Sequence, residues 1–267
     1  MFNRLSTDNE IILKNLSYLS FIRFFNIGIK FFLVLYLVRI LGEISYGILT
    51  WSDSIIQFFL LLINFGFNIY AAKYIVENRN NKEKINEITS SIFLIKIVLF
   101  IISFIILFFL SFLGTFEIYK NILFLMLLMG IGEIFFPIWY FQGIEKLKPA
   151  TFIVVFSRTL LVIGTLIWVK SSQDLMLHVL LIVLTNTLLG ILGYLTLIKY
   201  YNFVFKWVKM KVLIQFIKEA YMFFLGLFLS LTFNFATIFL SLTCWTEIQR
   251  NWRLLEKTFR SPIFAYF

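Results

Sequence analysis

Long apolar runs alternate with short polar connections along this chain, at residues 16–40, 47–75, 88–113, 121–141, 151–169, 176–199 and 216–241. An α-helix rises 1.5 Å per residue, so about 20 residues cross a hydrocarbon core of about 30 Å. The pattern predicts seven membrane spans in an all-α, polytopic transmembrane helical bundle. A first lobe of six helices would occupy residues 1–200, a connecting segment and seventh helix 201–241, and an atypical basic tail 242–267.

The runs are not uniformly apolar. The first carries Arg23, Asn26 and Lys30, whose spacing confines them to about 60° of a helical wheel. A cation near the centre of a lone span costs roughly 2.5 to 3.5 kcal/mol, so this face is predicted to border protein or a wet cavity. In the second run Tyr46, Thr50, Asp53, Gln57, Asn64 and Asn68 share one arc. Thr89, Lys96 and Ser103 recur at intervals of seven in the third run, as Thr151, Arg158 and Thr165 do in the fifth. The fourth has Glu133 on the side of Gly130 and Pro137, and Pro137 is predicted to kink it by removing an internal hydrogen bond. The sixth places His178, Thr185 and Thr196 together.

Depth follows from these boundaries. Arg23, Lys96 and Arg158 each lie seven or eight residues inside the same ends of their runs, about 10 to 12 Å deep. They are candidates for gripping one anionic group. Lys30 and Asp53 fall within about one helical turn of each other in depth, which makes them a candidate ion pair. Glu133 lies near the midplane, and it and Asp53 are candidates for ion coupling.

Composition supports a membrane protein: 61% of the 267 residues are hydrophobic and 14% charged, against about 25% charged in soluble domains. The net charge of +10 does not point to nucleic acid, because the basic residues sit mostly in short connections and form no basic domain. They follow a sidedness. Arg4, Lys14, Lys73, Arg79, Lys82, Lys84, Lys146, Lys148, Lys199, Lys206, Lys209, Lys211 and Lys218 fall on one side, against Arg39, Lys120 and Lys170 on the other. The amino terminus is therefore predicted to be cytoplasmic, in a multi-pass protein of the bacterial inner (plasma) membrane. Trp139 and Trp207 would lie at the inner interface, and Trp51 and Trp168 at the outer. Arg250, Arg253, Lys257 and Arg260 in the tail break the pattern. A single cysteine, Cys244, and a single histidine, His178, supply no metal site, and no cofactor is implied. The opening MFNRLSTDNE is too polar and acidic for a signal peptide, so the first run is expected to be retained.

Two stretches carry a family resemblance. One runs from Asn15 through Tyr36-Leu-Val-Arg39-Ile-Leu-Gly42-Glu-Ile-Ser-Tyr-Gly47 to Asn64-Phe-Gly66-Phe-Asn68; the other is Pro137-Ile-Trp139-Tyr-Phe-Gln142-Gly143-Ile-Glu145-Lys146, with Arg158 beyond it. Both resemble the bacterial polysaccharide flippases of the multidrug/oligosaccharidyl-lipid/polysaccharide exporter superfamily, over roughly residues 12 to 240. The resemblance implies a two-lobed bundle of about twelve helices that opens alternately to either side. It implies a transporter and not an enzyme, carrying an undecaprenyl-pyrophosphate-linked oligosaccharide, such as an O-antigen or capsule repeat unit, to the outer leaflet. The partners expected are that lipid-linked oligosaccharide, membrane lipids and polysaccharide-assembly proteins, with no nucleic acid.

On this reading Arg23, Lys30, Lys96 and Arg158 suit the diphosphate, and Asn26, Gln57, Asn64 and Asn68 the sugar hydroxyls. At Cys244-Trp-Thr-Glu-Ile-Gln-Arg250 the chain departs from the family pattern, so a truncated second lobe is expected. The competing readings are a transport-inactive fragment and a related small-molecule exporter. A membrane-embedded glycan polymerase or acyltransferase would need a larger outer loop or a partner for His178.

Overall fold

The computed structural model describes the backbone of residues 2–233 and the side chains from Leu13 onward, except that of Thr115. The tail at 242–267, Cys244 and the last residues of the seventh predicted run lie outside these. The packing below belongs to the unit Met1–Phe224; a second unit begins at Leu225, and its described residues, 225–233, are helical.

Every predicted run is mainly helical where it is described, with interruptions inside the second and fourth. Six apolar segments are long enough to span a bilayer: Leu13–Glu77, Lys82–Leu110, Phe116–Gly143, Lys148–Trp168, Ser172–Tyr201 and Met210–Phe233. The first holds 65 residues, about 98 Å if straight, and contains both of the first two predicted runs. Two interruptions divide it. Helix α1 (Phe2–Asn64) contains Gly42 with φ 75° and ψ 170°, a conformation that glycine adopts without a side-chain clash. Then Phe65 (φ 43°) and Gly66 (φ 74°) separate α1 from α2 (Phe67–Glu77).

Helix α3 (Lys82–Leu110) starts six residues before its apolar run, because the Asn81 side chain accepts a hydrogen bond from the Lys84 amide at 3.0 Å and caps a polar first turn. The fourth span is in three pieces: α4 (Gly114–Leu127), α5 (Met129–Phe135) and α6 (Ile138–Gly143). The break between α5 and α6 falls at Phe136–Pro137, where proline removes the amide donor. Helices α7 (Lys148–Trp168), α8 (Leu175–Tyr201) and α9 (Met210–Phe233) complete the described chain.

Close helix crossings fix the interior. A methyl group on Gly132 of α5 would stand 2.2 Å from the Asn186 carbonyl oxygen of α8, and one on Gly190 would stand 2.9 Å from the Gly132 Cα. Only hydrogen atoms fit between α5 and α8, the small-residue packing expected where lipid offers no hydrophobic drive. The Trp-x-x-Gln-Gly-x-Glu stretch does the same for α6 and α2: Gly143 packs against Ile75, and Glu145, in a left-handed conformation (φ 57°), pairs with Arg79 at 2.6 Å.

Trp139 of that stretch departs from the predicted interfacial belt. It is wholly buried, between Phe93 and Tyr140. Trp168 and Trp207, 58% and 86% exposed, retain positions suited to an interface. Phe24, Ile118 and Phe152 are 71–75% exposed, as side chains against acyl chains would be.

Candidate functional site

At mid-height the bundle encloses charge. Lys96 lies at the centre of α3, fourteen residues from either end, and Arg158 ten residues from either end of α7. Both cations thus sit within helices long and apolar enough to span a bilayer.

Lys96 is 1% exposed. Its Nζ donates to the Asn64 Oδ1 at 2.8 Å and to the Glu133 carbonyl oxygen at 3.0 Å, and the Asn64 Nδ2 donates to the Glu133 Oε2 at 3.1 Å. Three helices thus share one network. Arg158, half-buried, donates to the Asn186 Oδ1 at 3.4 Å, while the Asn186 amide donates to the Ile182 carbonyl at 2.8 Å. An ammonium taken out of water costs several kcal/mol unless it is compensated, and here two hydrogen bonds to neutral acceptors offset part of that cost.

Local chain breaks make the network. Asn64 is the last residue of α1, and the turn at Phe65–Gly66 frees the end of that helix within the membrane-spanning segment. Discontinuous spans of this kind occur where irregular backbone is enclosed by protein. Gly66 is required twice: for its positive φ, and because a methyl there would stand 2.8 Å from the Phe223 Cβ and 2.9 Å from the Phe224 amide. Thr89 and Ser103, seven residues to either side of Lys96, are wholly buried, so the predicted α3 stripe faces inward.

The other predicted residues are distributed as follows. Arg23 and Lys30 are exposed and Asn26 is half-buried, so that stripe of α1 is open. Ile22 packs beside Ile153 and Val154, which places the level of Arg23 about one turn from Arg158. Asp53 does not pair with Lys30; it accepts from the Gln57 Nε2 at 3.2 Å, one helical turn away on its own helix. Two residues on one arc of the same helix find each other before a partner across a helix interface does. Asn68 is half-buried, with its Oδ1 enclosed. Lys96 was expected among the ligand-gripping cations, but its enclosure leaves it no access to a ligand in this conformation.

Two partners escaped the sequence reading. Asn186 carries no signal in an apolar run; only the packing of α7 on α8 brings its side chain to Arg158. Glu219 of α9 accepts from the Tyr70 hydroxyl at 2.7 Å and the Tyr74 hydroxyl at 2.8 Å on its Oε2, and from the Gln215 Nε2 at 2.8 Å on its Oε1. The Tyr70/Tyr74 spacing of four was a signal for a shared acceptor. His178 is buried against the Thr165 hydroxyl at 3.3 Å.

Interrupted spans closing around cations and a carboxylate define a polytopic helical membrane protein with a polar interior. Residues 12–258 match the family model described as polysaccharide biosynthesis protein, and the chain belongs to that family. A putative O-antigen transporter of Escherichia coli (strain K12) is 27% identical over 172 residues, covering 64% of this chain and 41% of that relative. The chain thus spans less than half the length of the relative it matches. No solved structure matches.

Proposed function

We propose that this chain contributes the first lobe of an inner-membrane flippase that passes undecaprenyl-pyrophosphate-linked oligosaccharide repeat units from the cytoplasmic to the outer leaflet. The observation that carries the reading is Arg158, half-buried ten residues from either end of its apolar helix and about one turn in level from the exposed Arg23. A diphosphate crossing the bilayer needs cations at membrane depth that are not already neutralised. Arginine also offers two parallel charge-assisted bonds to a phosphate. Family membership and the relative named as a putative O-antigen transporter support the cargo class.

In this proposal Arg23, Lys30 and Arg158 hold the diphosphate, and Asn26, Gln57 and Asn68 meet sugar hydroxyls. Lys96 and Asn64 hold Glu133 in place, and Glu133, between two cations, is the group through which an ion gradient would act. The test is surface glycan display by the full-length protein in a bacterium lacking its own flippase. Arg158→Ala and Arg23→Ala should each abolish display while membrane insertion, read by immunoblot, is retained. Arg158→Lys should restore only part of it, since the paired bonds are lost. Normal display from both alanine variants would overturn the proposal.

A further inference from the structure

We propose that the end of the bundle bearing the turn between α6 and α7 holds a binding site for the phosphate of an anionic phospholipid, formed by Lys14, Lys146 and Lys148. These lysines line a cavity of about 340 Å³ together with Asn15, Tyr18 and Tyr201. All three are exposed, and none takes part in an ion pair among the described residues. Glu145, the carboxylate at the cavity, is already engaged by Arg79 at 2.6 Å. Asn15 ties α1 to the turn by donating to the Glu145 carbonyl at 2.9 Å, and the Lys146 Nζ stands 5.7 Å over the Tyr201 ring. The cavity thus has rigid walls on three elements and uncompensated positive charge.

The surroundings favour a lipid over a free anion. Phe152, one turn below Lys148 on the same face of α7, is 71% exposed. Leu13 and Leu16, beside Lys14 and Asn15 on α1, are 63% and 53% exposed. Charge at this end of the bundle, with exposed leucines beside it and Phe152 one turn deeper, suits a phospholipid, phosphate above and acyl chain below. Basic pockets between transmembrane helices hold such headgroups.

The site lies apart from Arg23 and Arg158 and depends only on the chain being in a membrane. Native mass spectrometry of the detergent-solubilised full chain tests it, with phosphatidylglycerol, phosphatidylcholine and inorganic pyrophosphate as separate probes. Phosphatidylglycerol should be retained over phosphatidylcholine. The variant Lys14→Gln/Lys146→Gln/Lys148→Gln should bind it at least tenfold more weakly, each lysine near a lipid surface being worth roughly fivefold. Lys120→Gln/Lys170→Gln, at the opposite end, should bind it unchanged. Should the triple variant misfold, Lys146→Gln/Lys148→Gln alone should show a fall of roughly tenfold or more. Undiminished phosphatidylglycerol binding by the lysine variants would overturn the proposal, as would pyrophosphate binding that matches that of the lipid.

Discussion

Lys96 and Gly132 are the two residues whose substitution should disturb the interior most, for opposite reasons. Truncating Lys96 strips a donor from the Asn64 amide oxygen and the Glu133 carbonyl, and each buried acceptor left unpaired costs about 1 to 3 kcal/mol. Lys96→Ala should therefore lower the melting temperature in detergent by several degrees. Because Asn64 belongs to the same network, Asn64→Ala in the Lys96→Ala background should cost less than it does alone, and simple additivity would refute a shared network. Gly132→Ala adds a methyl where the Asn186 carbonyl stands 2.2 Å away, an overpacking for which backbone must move, at roughly 1 to 3 kcal/mol or more. Gly28→Ala, with nothing within 4 Å, should be tolerated; equal behaviour of the two variants in thermal unfolding would contradict the close α5–α8 approach.

Among the elements, the broken spans decide how polar groups meet. The interruption at Phe65–Gly66 ends α1 at Asn64 and seats Gly66 against the backbone of α9, while Phe65 and Phe224 stack with ring centroids 4.6 Å apart. One and two turns on, the two tyrosines of α2 hold the Glu219 carboxylate of α9. The start of α9 is thus fastened at two levels, one apolar and one ionic. Tyr70→Phe with Tyr74→Phe removes two hydrogen bonds to a charged acceptor, and amide exchange over residues 210–220 should quicken roughly tenfold. Exchange unchanged there would show that apolar packing alone secures the helix.

At the scale of the whole molecule, the basic connections gather at one end of the bundle. Lys14, Lys146 and Lys148 share one cavity there, and Lys84, Lys206 and Lys209 another. The positive-inside rule predicts that this end is cytoplasmic. Single cysteines at positions 82 and 146, in a Cys244→Ser background, should react with an impermeant maleimide only after the membrane is opened. Cysteines at positions 120 and 170 should react in intact spheroplasts. The reverse pattern would invert the topology and, with it, the direction of loading proposed for the cargo.

The sequence by itself determined the helices, the faces on which their polar residues lie and the family, because helical period, span length and a short motif are local properties. Apolar windows placed the runs well but missed the polar first turns that the Asn81 cap adds to α3. Tertiary structure alone decided which polar side chains are enclosed and which are open. Lys96 and Arg158 occupy equivalent places in their runs, yet one is sealed by Asn64 and Glu133 while the other stays half-accessible beside Asn186. That difference comes from where glycines let two helices touch and where a span is broken, and no periodicity within a single helix encodes either.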